Sequence, residues 1–165
     1  MRQAGAGWIF LRGWDLPMTL ATLIIWFAAV VAGLCLLAIW LIEYDKSDVE
    51  SHLPRTMISA HGLLAVGGLV VWSAYLDGGA SGLAWTSVLI LAVVAALGLT
   101  MAGRWIGVYR MYKTPSAVTV PAIGHSVDLV PPERKFPVPV VIAHGILAAA
   151  TIVMVLLTAF APGGS

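Results

Sequence analysis

Apolar residues fill this chain in long runs, with the charged residues clustered between them. Four runs are long enough to matter: residues 18–42, 56–76, 83–108 and 138–160. A bilayer core about 30 Å thick is crossed by about 20 apolar helical residues, so each run predicts a membrane-spanning helix. Backbone groups in lipid must satisfy one another, which leaves helices as the form such runs take. Pro137 and Pro139 open the last run, in the first turn of a helix where a missing N–H costs no internal bond. Asp77-Gly78-Gly79 ends the second run in a turn short enough to force the second and third spans to be antiparallel neighbours. The expected fold is therefore an all-α integral membrane bundle of four helices.

The polar residues gather between the runs. Seven of the nine basic residues lie in or beside the first and third loops: Lys46, Arg55, Arg104, Arg110, Lys113, Arg134 and Lys135. Only Arg2 and Arg12 precede the first span, and the second loop and C-terminal tail carry none. Positive charge marks the cytoplasmic side, so loops one and three are expected inside and both termini outside, in the plasma membrane of a prokaryote. Residues 1–17 read as an N-terminal extension, and Trp8, Ile9, Phe10, Leu11 and Trp14 give part of it the character of an interfacial helix. The third loop, 114–136, is rich in proline, and its Pro131-Pro132-Glu133-Arg134-Lys135 stretch reads as a solvated, positively charged anchor facing anionic lipid.

Composition narrows the function. With 60% hydrophobic and 10% charged residues and a net charge of +1, the chain has no basic surface for nucleic acid. The single cysteine, Cys35, can form no intrachain disulfide and reads as a packing residue. No nucleophile elbow, phosphate loop, zinc-spaced Cys/His set or carboxylate pair is present, so a self-contained soluble catalytic site is not expected. Trp40, Tyr44, Trp105 and Tyr109 at one end of the spans, and Trp72, Tyr75 and Trp85 at the other, read as interfacial belts. Gly103-x-x-x-Gly107 has the spacing of close-packed membrane helices.

The two halves resemble one another. Ala29-Val30-Val31-Ala32-Gly33-Leu34-Cys35-Leu36 matches Ala92-Val93-Val94-Ala95-Ala96-Leu97-Gly98-Leu99, Trp40-x-x-x-Tyr44 matches Trp105-x-x-x-Tyr109, and Ala60-His61-Gly62 matches Ala143-His144-Gly145, in the same order. The expected organisation is two tandem hairpins, residues 18–80 and 81–165, inserted in parallel about an axis along the membrane normal. His61 and His144 then lie at one depth. Ionisable groups within a membrane are costly and functional, and two imidazoles across an axis can take the axial positions of a haem iron. The i+4 and i+7 positions after them are small, Ala65 and Gly68 after His61, Ala148 and Thr151 after His144, which leaves a slot for a flat ring. Arg104, near the end of its span, can meet a haem propionate or snorkel to the interface.

In organisation this resembles the four-helix membrane b-type cytochromes and the cytochrome-b anchor subunits of larger complexes. The resemblance implies one haem b with His61 and His144 as ligands, unless Met101, His52 or His125 also ligate. It further implies an electron-transfer role with a partner subunit or a second copy, and quinone as a redox partner. Other readings stand beside it: a cofactor-free accessory or scaffold subunit, another transition metal on the same histidines, and a metal or small-solute transport component.

Overall fold

The computed structural model describes residues 6–45, 50–112, 117–119, 126–128 and 130–160, and side chains among them except those of 6–16, 117–119 and 126–128. Four long helices dominate: α1 (Ala6–Tyr44), α2 (Arg55–Gly78), α3 (Ser81–Met111) and α4 (Val138–Ala159). All four contain stretches long and apolar enough to cross a membrane. The first helix starts earlier than the apolar run does, at Ala6, and passes through Pro17. A proline there removes one donor, leaving the carbonyl four residues back without its helical partner. The flanking residues otherwise favour helix.

Helix ends follow the chain's punctuation. Pro54 and Pro137 each precede a helix and supply the first carbonyl, Pro54 to Met57 and Ile58 and Pro137 to Val140 and Val141. Gly79 adopts the left-handed conformation, φ 66°, and its N–H donates to Tyr75 O at 2.8 Å. A residue with a Cβ would pay for that φ, which is why the short α2–α3 turn falls on glycine. Within the third loop, β1 (Ala117–Thr119) and β2 (Ser126–Asp128) pair antiparallel, with Val118 opposite Val127.

Packing is pairwise. α1 lies chiefly against α4 and α2 chiefly against α3, while the α1–α2 and α3–α4 seams are thinner. At one end the core is Trp26, Trp72, Ala84, Leu91 and Val155. Trp26 and Trp72 have ring centres 6.4 Å apart, and their indole N–H groups donate to Ala65 O and Thr19 O, both at 3.2 Å. Burial recurs at fixed offsets, 65 residues between α1 and α3 and 83 between α2 and α4. Trp26 and Leu91, Thr22 and Ser87, Trp72 and Val155, and Gly68 and Thr151 are all buried. Thr22 and Ser87 even share a habit, each donating its hydroxyl to the carbonyl four residues back, Met18 and Leu83. That register is two residues away from the one suggested by the Ala-Val-Val-Ala match, whose apolar residues align cheaply anywhere.

Three expectations change. Trp72 is fully buried and Trp40 is 4% exposed, so both are bundle residues; an indole whose N–H finds a partner inside has no need of the interface. Trp85, 43% exposed and edge-on to Phe160, does suit a belt. The Pro131–Glu133 stretch is buried, with Glu133 at 0% exposure, so it is no solvated anchor. Gly103 and Gly107 have open space beside them, and Cys35 is exposed, so none of the three marks a close helix contact among the described residues.

Candidate functional site: a paired-histidine cavity

His61 and His144 each stand seven residues after the proline that starts the helix, about 10 Å along it at 1.5 Å per residue. They meet in the middle of the bundle, ring centres 6.2 Å apart and planes inclined at 69°. Each ring is held by the neighbouring helix of its tight pair. His61 Nδ1 lies 3.1 Å from Val94 O on α3, and His144 Nδ1 lies 2.9 Å from Ala29 O on α1. A carbonyl oxygen can only accept, so in both rings Nδ1 carries the proton. Nε2 is then the lone-pair nitrogen, and neither Nε2 hydrogen-bonds a described residue. A backbone carbonyl on the far nitrogen is the arrangement that orients a ligating imidazole.

Room for these rings comes from two glycines that the small-residue pattern had not singled out as slot residues. A Cβ built on Gly33 would stand 3.1 Å from His144 Cε1, and one on Gly98 would stand 3.1 Å from His61 Cε1. The signal was available: extending the Trp40/Trp105 register back along α1 and α3 aligns Gly33 with Gly98.

Around the two rings lies a cavity of about 370 Å³, within the range of small-molecule sites. Its walls are apolar apart from the two imidazoles and the indoles of Trp40 and Trp105. Ala65 and Ala148 line it, as do Gly62 and Gly145. Gly68 and Thr151 do not: Gly68 is pressed against Trp26 and Ile90, and Thr151 is buried and bonded to Leu147 O. They share the helix face but lie one turn deeper, where side chains from α1 and α3 fill the space. Met101 lines the cavity. Arg104 does not; it is exposed and donates to His52 O at 3.1 Å, tying α3 to the first loop.

The third loop closes one end. Glu133 Oε2 accepts from Ser51 Oγ at 2.9 Å and Oε1 from the His52 N–H at 2.7 Å, with His52 Nδ1 3.3 Å away. Ser51 Oγ in turn accepts from Trp40 Nε1 and the Leu53 N–H, both at 3.1 Å. Leu53 and Phe136, on either side of this clasp, form the cavity's ceiling. Arg134 caps it from outside, donating to Tyr112 O at 2.7 Å and lying 4.5 Å over the Tyr109 ring. His52 is thus tied to Glu133, outside the cavity, and His125 lies outside the described residues.

The donor set limits what can be held. Two imidazoles that grip one metal ion from opposite sides, with bonds of about 2 Å, have ring centres about 6 Å apart, and 6.2 Å fits. Among the described residues no third imidazole, thiolate or carboxylate joins them. A bare transition ion would want further protein ligands, whereas a porphyrin iron asks the protein for two axial ones. No family model, curated protein or solved structure matches this chain.

Proposed function

We propose that the chain is a membrane-embedded b-type haem protein, an electron-transfer subunit in which His61 and His144 are the axial ligands. The observation that carries the reading is the pair itself: imidazoles 6.2 Å apart, each with Nδ1–H donated to a carbonyl and Nε2 without a partner among the described residues, in an apolar cavity. Val94 O and Ala29 O fix ring orientation and raise the basicity of the ligating nitrogens. The thin α1–α2 and α3–α4 seams leave space for a flat ring between the two tight helix pairs. Bound there, the iron would carry one electron between ferric and ferrous states. The Val, Leu and Ala side chains that line the cavity, with the glycine backbone beside them, would exclude water from the group that the two histidines would hold.

The matched offsets support two fused hairpins, related by an axis along the membrane normal that runs between the histidines. The distribution of basic residues supports an orientation with loops one and three inside and both termini outside, and the membrane proposed is a prokaryotic plasma membrane. On this reading the third loop, with its clasp and hairpin, is the cytoplasmic face available to a partner subunit or second copy, and quinol is the membrane-side donor.

A second reading has its own observation: each histidine already bridges two helices, α2 to α3 and α4 to α1, as a purely structural histidine in an accessory subunit would. An absorption spectrum of detergent-purified protein expressed with ample haem separates the two. The haem reading expects a Soret band that is lost in His61→Ala and in His144→Ala. Its absence from the wild type, or its persistence in both variants, leaves the structural reading.

A further inference from the structure

The cavity is closed at both ends and open at its sides. Towards the loops stand Trp40, 4% exposed, and Leu53, 5% exposed, with the buried Val130–Glu133 segment behind them. At the opposite end the Trp26–Trp72 core blocks it. Two of the four helix seams are sealed as well. His144 closes α1–α4 by its contacts with Ala29 and Gly33, and His61 closes α2–α3 through Val94 and Gly98.

The other two seams are different. At 100° per residue, Gly62 and Val66 turn away from the His61 side of α2 towards α1, and Leu34 turns away from the Gly33 side of α1 towards α2. All three line the cavity, yet Val66 is 44% and Leu34 52% exposed on the outer surface. The equivalent positions on the second hairpin, Leu99, Gly145 and Ala149, also line the cavity and are exposed. None of these six residues is polar. A cavity wall that is also outer surface, in a belt of apolar helix, faces acyl chains.

We propose that the cavity exchanges ligand with the hydrocarbon phase of the bilayer through these two lateral windows. The molecule exchanged is uncharged, flat and lipid-dissolved, of the quinone class, and does not arrive from water. The inference shares its cavity with the reading above and rests on it in one respect only: with haem held by the histidines a quinol entering at a window would meet the haem rather than the imidazoles, whereas the windows themselves need no haem. A charged donor would lose its hydration at windows that offer no hydrogen-bonding side chain to replace it. The water-facing approach is blocked by the Glu133 clasp.

The test uses haem-free full-length protein in phosphatidylcholine vesicles, with a short-tailed benzoquinone dissolved in the bilayer as the probe. Quinones quench indole fluorescence on contact, and Trp40 and Trp105 line the cavity. The expected result is a saturable quenching component, absent in Trp105→Phe/Trp40→Phe, that aqueous iodide does not reproduce. Gly62 and Gly145 have nothing within 4 Å of an added Cβ, so Gly62→Leu/Gly145→Leu fills both windows without a backbone clash. That double variant should weaken the saturable component at least about tenfold. Val66→Phe/Ala149→Phe blocks the same windows from the outer side and should do likewise if the leucines disturb folding. Quenching that rises linearly with membrane quinone, survives both double variants, or is matched by iodide would overturn lateral access. A missing Soret band, by contrast, removes the haem reading and leaves this measurement standing.

Discussion

Glu133 offers a sharp test because its two oxygens have different jobs. One accepts from the Ser51 hydroxyl, the other from a backbone N–H, and the side chain is fully buried. Glu133→Gln keeps the shape but turns one acceptor into a donor. If the new NH₂ faces the His52 N–H, two donors oppose one another. If it faces Ser51, it meets an oxygen already accepting from Trp40 Nε1 and Leu53 N–H, and the hydroxyl must turn to its weaker 3.4 Å partner, Leu53 O. Either way one charge-assisted bond goes, worth about 1.5–3 kcal/mol. Since about 1.4 kcal/mol is tenfold in an equilibrium constant, the closed loop should open roughly 10- to 150-fold more often. Arg134 and Lys135 adjoin the clasp, so trypsin cleavage there under native conditions in detergent reads opening directly. Glu133→Gln is expected to be cleaved at least about tenfold faster than wild type and Glu133→Ala faster still, while the four helices melt together much as before. Wild-type cleavage of Glu133→Gln alongside rapid cleavage of Glu133→Ala would show that one neutral acceptor suffices and refute the two-acceptor argument.

Other expectations follow from single contacts. Gly33→Ala and Gly98→Ala each put a Cβ 3.1 Å from an imidazole carbon that prefers about 3.5–4.0 Å; each should cost about 1–3 kcal/mol in thermal unfolding and lower haem yield, whereas Gly62→Ala, with open space, should be neutral or slightly stabilising. Among the described residues Trp105 Nε1 is buried with no hydrogen-bond partner, while Trp40 Nε1 bonds Ser51. Trp105→Phe therefore relieves an unmet donor of about 1–3 kcal/mol, and should be more stable than Trp40→Phe by denaturant titration despite the same loss of ring volume; equal stabilities would show that the Trp105 N–H is satisfied in solution. Imidazole planes 69° apart predict a highly anisotropic low-spin ferric signal by electron paramagnetic resonance, and a rhombic signal would mean that the rings turn towards parallel on loading.

Much of the fold was legible because membrane helices announce themselves by composition alone. The depth and pairing of His61 and His144 were also legible, since their distance from Pro54 and Pro137 is written in the chain. Periodicity, however, assigns a face and not a depth. It put Gly68 and Thr151 on the ligand face correctly, but could not foresee that Trp26 and Ile90 fill the space before them. The Pro131–Lys135 stretch failed for a related reason. Five residues with three charges and two prolines look solvated until Ser51 and His52, some eighty residues earlier, are folded against Glu133. Nothing local encodes that partner.

The misread stretch bears on why the proposed duplication leaves its two halves unequal. Along the four apolar helices the offsets hold closely: the same proline, histidine and glycine positions in α2 and α4, the same buried hydroxyl in α1 and α3. At the loop end they fail. Trp40 finds Ser51, while Trp105 finds no hydrogen-bond partner among the described residues; Tyr44 lies under Arg55, whereas Tyr109 lies under Arg134 from a different element. A bis-histidine site needs equivalence only around the shared axis, so packing there constrains both halves alike. A clasp needs one acid and one pair of donors, here Glu133 with the Ser51 hydroxyl and the His52 N–H. Glu133 therefore bonds the first loop and has no counterpart among its described residues, which makes this end the directional face of an otherwise near-symmetric bundle. On the proposed reading a partner that binds one way round would read that face, so loss of the clasp in Glu133→Ala should weaken its binding while the haem spectrum expected from the histidine pair, about two helical turns below, is unchanged.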